Sequence, residues 1–135
     1  MSQEAPLSRT RKLGLGLVFI WFFVGGVGHF VLTDLELRMV PPWVPWAREA
    51  VLATGVLELL GALGILWRPV RRAAGWGLVL LTIAVTPANV FMLQHAADFP
   101  LVPYWVLVAR LPLQAALLAL IIWSTARPKS GSQMI

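Results

Sequence analysis

The chain has 135 residues, of which 59% are hydrophobic and 13% are charged, and its mean hydropathy is +0.78. Soluble domains carry about 25% charged residues, so this composition excludes a disordered chain and a well-solvated soluble domain. The lack of cysteine excludes disulfides, thiolate metal sites and dithiol chemistry, and a net charge of +5 scattered between apolar runs argues against a nucleic-acid-binding face.

The first apolar run, residues 13–33, follows a basic segment and is long enough to cross a hydrocarbon core of about 30 Å. It exceeds the apolar part of a signal peptide and ends without a small-residue cleavage motif, so we expect it to be retained. The loop that follows, residues 34–49, contains the proline-rich stretch VPPWVPW and cannot be one continuous helix. Its indoles, Trp43 and Trp46, are typical of a segment at the outer membrane interface. It is either a stiff connector with aromatic anchors or a lid over a ligand.

Three further apolar runs, residues 50–67, 73–93 and 104–123, are each about as long as a membrane crossing requires. The loops between them are short, which forces neighbouring helices to run antiparallel. The sequence therefore predicts an all-α fold in which residues 1–135 form one integral membrane domain. The predicted architecture is a four-helix bundle with up-down-up-down topology.

The distribution of basic residues predicts the orientation of this bundle. Of the eleven Lys and Arg residues, two lie in the first loop and none in the third, whereas eight lie in the N-terminus, the second loop and the C-terminus. Those eight are Arg9, Arg11, Lys12, Arg68, Arg71, Arg72, Arg127 and Lys129. Because cytoplasmic segments of membrane proteins carry an excess of basic residues, we expect both termini in the cytoplasm.

Three ionisable residues, His29, Glu58 and Arg110, lie inside the predicted spans. A charge within the bilayer costs at least about 2.5 to 3.5 kcal/mol on insertion scales, so each needs a physical reason. Counting from the outer helix ends places Glu58 and Arg110 at matching depths, with His29 and Asn89 slightly nearer the surface. We expect an outer polar cluster in which Arg110 pairs with Glu58. The pair is either a lock on helix register or part of a functional site.

A candidate polar pocket follows from these depths. Gln114 lies one turn from Arg110 on the same helix face, so the fourth helix contributes two polar groups. The predicted pocket consists of His29, Glu58, Asn89, Arg110 and Gln114, with Thr86, Trp43 and Trp46 in support. No paired-ligand spacing such as H-x-x-x-H occurs, so we predict no metal site.

Prolines and glycines accompany the polar residues. Pro87 and Pro112 lie inside the third and fourth spans, where each is expected to kink its helix and free a backbone carbonyl. Glycines precede His29 and flank Glu58 in the sequence. We interpret them as sites of close helix packing, with a ligand cavity as the alternative.

Four stretches, in order, carry a resemblance: GHFVLTDLELRMVPPWVP, TGVLELLGALGILWRPVRRAAGWGL, AVTPANVFM and RLPLQ. Through them the chain resembles the DoxX-like family of small bacterial membrane proteins. The resemblance implies a four-helix protein of the bacterial inner membrane. Some relatives are linked to membrane thiosulfate and quinone oxidation or to redox-stress complexes, and similar folds serve as assembly chaperones or quinone-linked thiol oxidoreductases. Without cysteine, thiol chemistry is excluded here.

Two main functional hypotheses follow, and a third is kept as a lesser alternative. In the first, the chain is a non-catalytic accessory or assembly subunit whose pocket and aromatic loop hold a lipid, a quinone or a partner helix. Its partners would be the lipid bilayer, other membrane proteins or further copies of itself. In the second, the chain is a quinone-linked oxidoreductase component in which His29 donates to the quinone, Arg110 stabilises the reduced anion and Glu58 manages a proton. The third is a proton-coupled transporter that uses Glu58.

Overall fold

The computed structural model describes residues 6–126, which form helices and connecting turns and contain no strand. The α-helices are α1 (Arg9–Val31), α2 (Thr33–Leu37), α3 (Ala47–Leu66), α4 (Arg71–Ala84), α5 (Thr86–Gln94) and α6 (Tyr104–Thr125). Short 3₁₀ turns precede α4 at Arg68–Val70 and follow α5 at Ala96–Asp98. Arg127 and Lys129, which contribute to the predicted orientation, lie outside the described residues.

Four segments are long and apolar enough to cross a membrane: α1, α3, the segment Arg68–Gln94 that contains α4 and α5, and α6. The prediction of an all-α chain with four apolar spans is therefore confirmed for residues 6–126. Each span keeps large apolar side chains exposed, for example Leu17, Leu60, Leu80 and Ile122. Lipid-facing surfaces have this character, so the structure indicates a multi-pass membrane protein.

Three of the spans begin earlier than the apolar runs predict, and α4 does so at Arg71 rather than at residue 73. Helix α1 begins at Arg9 rather than at residue 13, because the Ser8 hydroxyl accepts a hydrogen bond from the Arg11 backbone N–H at 3.2 Å and caps the helix. Helix α3 begins at Ala47 rather than at residue 50, and Arg48 in its first turn contacts Asp34 at 3.0 Å. A polar first turn extends a helix beyond its apolar run, since helix formation requires backbone hydrogen bonds and not apolar side chains.

The third span is divided into two helices. Helix α4 ends at Ala84 and α5 begins at Thr86, with Val85 between them. Pro87 lacks the N–H that would bond to the carbonyl of Ile83, which explains the interruption. The sequence predicted a kink at Pro87, and the structure shows an interruption of the helix at Val85. At Pro112, by contrast, α6 continues as one helix.

The four spans close into a ring. Helix α1 packs against α3 and α6, and α4 packs against the same two helices, so α3 and α6 lie diagonally across the bundle. Contacts run in opposite order along neighbouring helices: Gly61 of α3 faces Leu78 of α4, and Gly64 faces Ala74, as in an antiparallel pair.

The two ends of the ring differ in polarity. At the terminal end, where α1 begins and α6 ends, the core is mainly apolar, and the buried Ser124 and Thr125 hydroxyls bond to the Ile121 carbonyl of their own helix. That core contains Leu15, Val18, Phe22, Ala62, Ile65, Leu78, Val79 and Ile121. The other end, where residues 32–46 and 95–103 connect the helices, is called the loop end below. Polar side chains gather in the half of the bundle nearest the loop end, and this half contains the candidate site.

Candidate functional site

A cavity of about 280 Å³ lies in the loop-end half of the bundle. The residues of the predicted polar pocket all line it, namely His29, Glu58, Asn89, Arg110 and Gln114. Most of the remaining lining is apolar and includes Trp21, Phe22, Met92 and Leu117. A concave, mainly apolar space with a few polar groups is the usual form of a small-molecule site.

One side of the cavity, called the acidic wall, consists of His29, Glu36 and Glu58. The Nδ1 atom of His29 lies 2.9 Å from Glu36 Oε2 and 2.9 Å from the Val51 carbonyl oxygen. Its Nε2 atom lies 3.1 Å from Glu58 Oε2. All three side chains of the wall are mostly buried. One imidazole is thus shared by two carboxylates that belong to different helices.

The Glu58 carboxylate is incompletely satisfied. Its Oε2 atom is buried and, among residues 6–126, receives no hydrogen bond, although the His29 ring lies within ion-pair distance. Buried oxygens without a donor are rare, and each calls for a physical explanation.

Glu36 is a cavity residue that sequence reasoning missed. It lies on α2, within the segment predicted as a loop, and it lines the cavity. Burial raises the pKa of its carboxyl above the ordinary value; the positive charge of His29 opposes this rise, and the negative charge of Glu58 adds to it. Helical spacing in the sequence could not have found it, because α1 ends at Val31 and Glu36 lies on the separate short helix α2.

Close packing of α1 against α3 brings the acidic wall together. A Cβ atom at Gly55 would lie 2.6 Å from His29 Cβ, and one at Gly26 would lie 2.8 Å from Leu59 Cγ. Both distances are shorter than atoms tolerate, so the two helices approach this closely only with glycine at these positions. The geometry agrees with the close-packing interpretation of the glycines, and the cavity lies beside this contact.

The opposite side of the cavity, called the basic wall, is a chain of hydrogen bonds between α5 and α6. The Arg110 Nη2 donates to Asn89 Oδ1 at 2.6 Å, and the Asn89 Nδ2 donates to Gln114 Oε1 at 2.6 Å. The Gln114 Nε2 in turn donates to the Thr82 carbonyl at 2.9 Å and to the Thr86 hydroxyl. Arg110 is thereby held by neutral partners, since its other contact is with Met92 Sδ at 3.0 Å.

The helix break supplies part of this wall. The Thr82 carbonyl, in the last turn of α4, accepts hydrogen bonds from Gln114 Nε2 and from the Thr86 hydroxyl. A side chain of α6 can reach it because the backbone pattern is disturbed at Val85, ahead of Pro87. Thr86 therefore contributes to the hydrogen bonds of this wall without lining the cavity itself.

The aromatic residues of the first loop lie elsewhere. Trp43 and Trp46 are 71% and 78% exposed and do not line the cavity. The same loop does contribute Met39 and Val40 to the lining. Its aliphatic part covers the cavity, whereas its indoles point outward in the manner of interface anchors.

A family model described as "Domain of unknown function (DUF8561)" matches residues 17–126. The chain belongs to the DUF8561 family. The matched segment contains both walls of the cavity. No curated protein and no solved structure matches the chain. Among residues 6–126 of this DUF8561 protein, no group of three or more His, Asp or Glu side chains is arranged to hold a metal ion.

The prediction that Glu58 forms an ion pair with Arg110 is wrong for this DUF8561 protein. The ion pairs among residues 6–126 join Glu58 to His29, not to Arg110, whose guanidinium binds Asn89. The two residues sit at similar depths, but α3 and α6 are diagonal in the ring and the cavity separates the two walls. Residue counting along a helix gives depth, but it does not give the position of a side chain around the bundle.

This corrected geometry changes the expected energetics of Arg110. In double-mutant cycles, Arg110→Ala and Glu58→Ala should be additive to within about 0.5 kcal/mol, because these residues share no direct partner. Arg110→Ala and Asn89→Ala should be coupled by about 1.5 to 3 kcal/mol, since they break the same charge-assisted hydrogen bond. Unfolding of the four variants in mixed detergent micelles would measure both cycles. A larger coupling with Glu58 than with Asn89 would contradict the structure.

Proposed function

We propose that this DUF8561 protein is a non-catalytic accessory or assembly subunit that resides in a membrane. We propose further that its cavity binds a lipid-soluble small molecule. The observation that carries the proposal is the cavity, in which two polar walls face a largely apolar space within a bundle that is apolar outside. Such a site suits a molecule with a polar group and an apolar body. The bilayer would supply this molecule.

The size of the cavity favours a small molecule over a partner helix. Ligand pockets usually span about 300 to 1,000 Å³, and the volume of about 280 Å³ lies just below the lower limit of this range. A helix with its side chains is about 10 Å across and would need an open groove instead. Partner proteins or further copies of the chain would then contact the outer faces of the helices.

Orientation and location belong to the same proposal. The excess of basic residues at the terminal end supports cytoplasmic termini, with the loop end and its cavity towards the outer leaflet. The DoxX-like resemblance supports a place in the bacterial inner membrane. Trp43 and Trp46, both exposed at the loop end, would anchor the first loop at the outer interface.

A second candidate is a quinone-linked oxidoreductase component, and one observation favours it. An imidazole in contact with a carboxylate lines the same cavity as a guanidinium, so groups for proton transfer and for anion stabilisation are present together. A proton-coupled transporter would use the same acidic residues and stays a third prediction. Both alternatives, like the accessory function, need an occupant of the cavity.

Filling the cavity tests the proposal. Ala50 lines the cavity on α3, whereas Ala53, three residues later on the same helix, is exposed and does not. We expect the wild-type protein, extracted in mild detergent, to carry a bound small molecule in native mass spectra. Ala50→Phe should lose most of it, and the matched control Ala53→Phe should retain it.

The outcomes separate the hypotheses. A protein free of bound molecules and of copurifying proteins, with Ala50→Phe indistinguishable from Ala53→Phe, would contradict the proposal. A bound quinone, together with quinone reduction in liposomes that is lost in His29→Ala, would favour the oxidoreductase instead. Reduction that is unaffected by His29→Ala would remove that alternative.

A further inference from the structure

The two walls of the cavity differ in charge, and neither is neutralised by the other. On the acidic wall, Glu36 and Glu58 share the single imidazole of His29. On the basic wall, Arg110 is held by an amide oxygen and a thioether sulfur, and the ion pairs formed by residues 6–126 do not include it. A dipolar electrostatic field therefore crosses a small, mainly apolar space, where charges interact strongly.

Two of the side chains that line the cavity are also exposed on the outside of the bundle. Among its lining side chains, Trp21 of α1 and Leu113 of α6 are the exposed ones, at 50% and 48%. Gly14 of α1 faces Leu120 of α6. Trp21 lies two turns after Gly14 on α1, and Leu113 lies two turns before Leu120 on α6, so each lies on the same helix face as the contact residue. Both residues therefore border the seam between α1 and α6.

This seam is closed at the terminal end. At Gly14, an added Cβ would lie 3.0 Å from the Trp123 ring and 3.3 Å from Ser124 Cβ, so the helices touch there. Further along, α1 packs on α3 through Gly26, and α6 is bonded to α5 through Asn89. Towards the loop end the two helices therefore have different neighbours, and Trp21 and Leu113 are the exposed lining residues on the two sides of the seam.

We infer that the cavity binds the headgroup of a zwitterionic phospholipid that carries a primary amine, with its acyl chains leaving through the α1–α6 seam. The inference rests on the proposed binding function and specifies its ligand. The phosphate would lie at Arg110, and the ammonium would lie at the acidic wall. The cavity is large enough for a headgroup but too small for the acyl chains as well, and the seam leads them directly into the bilayer.

The unsatisfied oxygen of Glu58 selects among headgroups. A primary ammonium has three N–H donors and can satisfy Oε2, whereas the quaternary ammonium of a choline headgroup has none. An anionic glycerol headgroup would place no positive charge at the acidic wall. The structure therefore favours phosphatidylethanolamine over phosphatidylcholine and phosphatidylglycerol.

The test uses the full-length protein in detergent micelles doped with dioleoyl lipids of these three headgroups, with lipid retention read by native mass spectrometry. Phosphatidylethanolamine should be retained at least about tenfold better than phosphatidylcholine, as expected for a charge-assisted hydrogen bond. Glu58→Gln should abolish this preference, because it weakens the acceptor for the ammonium. Arg110→Gln should weaken retention of all three lipids about tenfold, since they share the phosphate.

Matched controls separate the cavity from surface charge. Glu49→Gln and Arg38→Gln remove the same charges at exposed positions that do not line the cavity, and should leave the ratios unchanged. Should a cavity variant fail to fold, Leu113→Trp provides a neutral change that narrows the seam and should lower retention of every lipid. Free phosphoethanolamine, which has the headgroup without chains, should bind much more weakly than the lipid.

Several results would overturn the inference. Equal retention of phosphatidylethanolamine and phosphatidylcholine by the wild type would do so, as would a preference that survives Glu58→Gln. Binding of free phosphoethanolamine as tight as that of the lipid would assign the site to a soluble molecule instead. If the protein retains another lipid or a quinone instead, and Ala50→Phe abolishes that retention, the headgroup assignment is overturned and the proposed function is left intact. Retention of none of these molecules would contradict both.

Discussion

Replacing Gly55 with alanine is expected to lower the free energy of unfolding by about 1 to 3 kcal/mol, the usual range for overpacking. An alanine Cβ would lie 2.6 Å from His29 Cβ and 3.2 Å from the Gly26 carbonyl oxygen. Backbone and Cβ atoms cannot rotate away as the end of a long side chain can, so α1 and α3 must separate. Because the same contact brings His29 to Glu58, the variant should also lose the lipid that we propose binds in the cavity.

Gly77 provides the matched control for this prediction. It also lies within a membrane span, but an added Cβ at Gly77 would meet no atom within 4 Å. Gly77→Ala should therefore leave stability unchanged or raise it by up to about 1 kcal/mol through helix propensity. Thermal unfolding in detergent, followed by circular dichroism, would compare the two variants. Equal unfolding temperatures for Gly55→Ala and Gly77→Ala would show that α1 and α3 are not in such close contact.

Removing the imidazole of His29 is expected to destabilise the bundle by about 3 kcal/mol, because it leaves two mostly buried carboxylates without a cation between them. Glu58→Gln alone should cost less, since His29 keeps Glu36 and the Val51 carbonyl as partners. The double variant His29→Ala, Glu58→Gln should be more stable than His29→Ala, because one uncompensated charge has been removed.

A double-mutant cycle measures this interaction. Denaturant unfolding of the wild type, the two single variants and the double variant in mixed micelles gives the coupling free energy. The expected sign is a partial rescue by Glu58→Gln. Simple addition of the two losses would mean that Glu58 does not depend on His29, and the acidic wall would not be an electrostatic unit. Glu49→Gln, at an exposed position of the same helix, should give no rescue.

These predictions concern a site whose two walls are organised differently. The basic wall is a continuous set of hydrogen bonds, from Arg110 through Asn89 to Gln114, in which each amide both donates and accepts. On the acidic wall, Glu58 Oε2 receives no hydrogen bond from residues 6–126, although the His29 Nε2 atom lies 3.1 Å away. A preorganised network on one side and an unsatisfied acceptor on the other suit recognition of a ligand that brings its own hydrogen-bond donors.

The number and approximate limits of the spans could be predicted from the sequence. Uncharged runs of about 20 residues must place their polar backbone within helices if they cross a membrane, which leaves little freedom of interpretation. The interruption at Pro87 was predictable for a similar reason, since proline removes a backbone donor wherever it lies. Even the depth of the polar residues followed from counting, because each helical residue rises by a constant distance.

Only the tertiary structure decided which polar groups meet. The position of a side chain around a bundle depends on helix rotation and on the choice of neighbours, and Gly55 and Gly26 set both for α1 and α3. For that reason Glu58 contacts His29 and not Arg110, although Arg110 lies at a similar depth. Glu36 joined the site because its loop folds into a helix that returns over the cavity. Low charge in the sequence pointed to a few polar residues, and helix packing divided them between two walls.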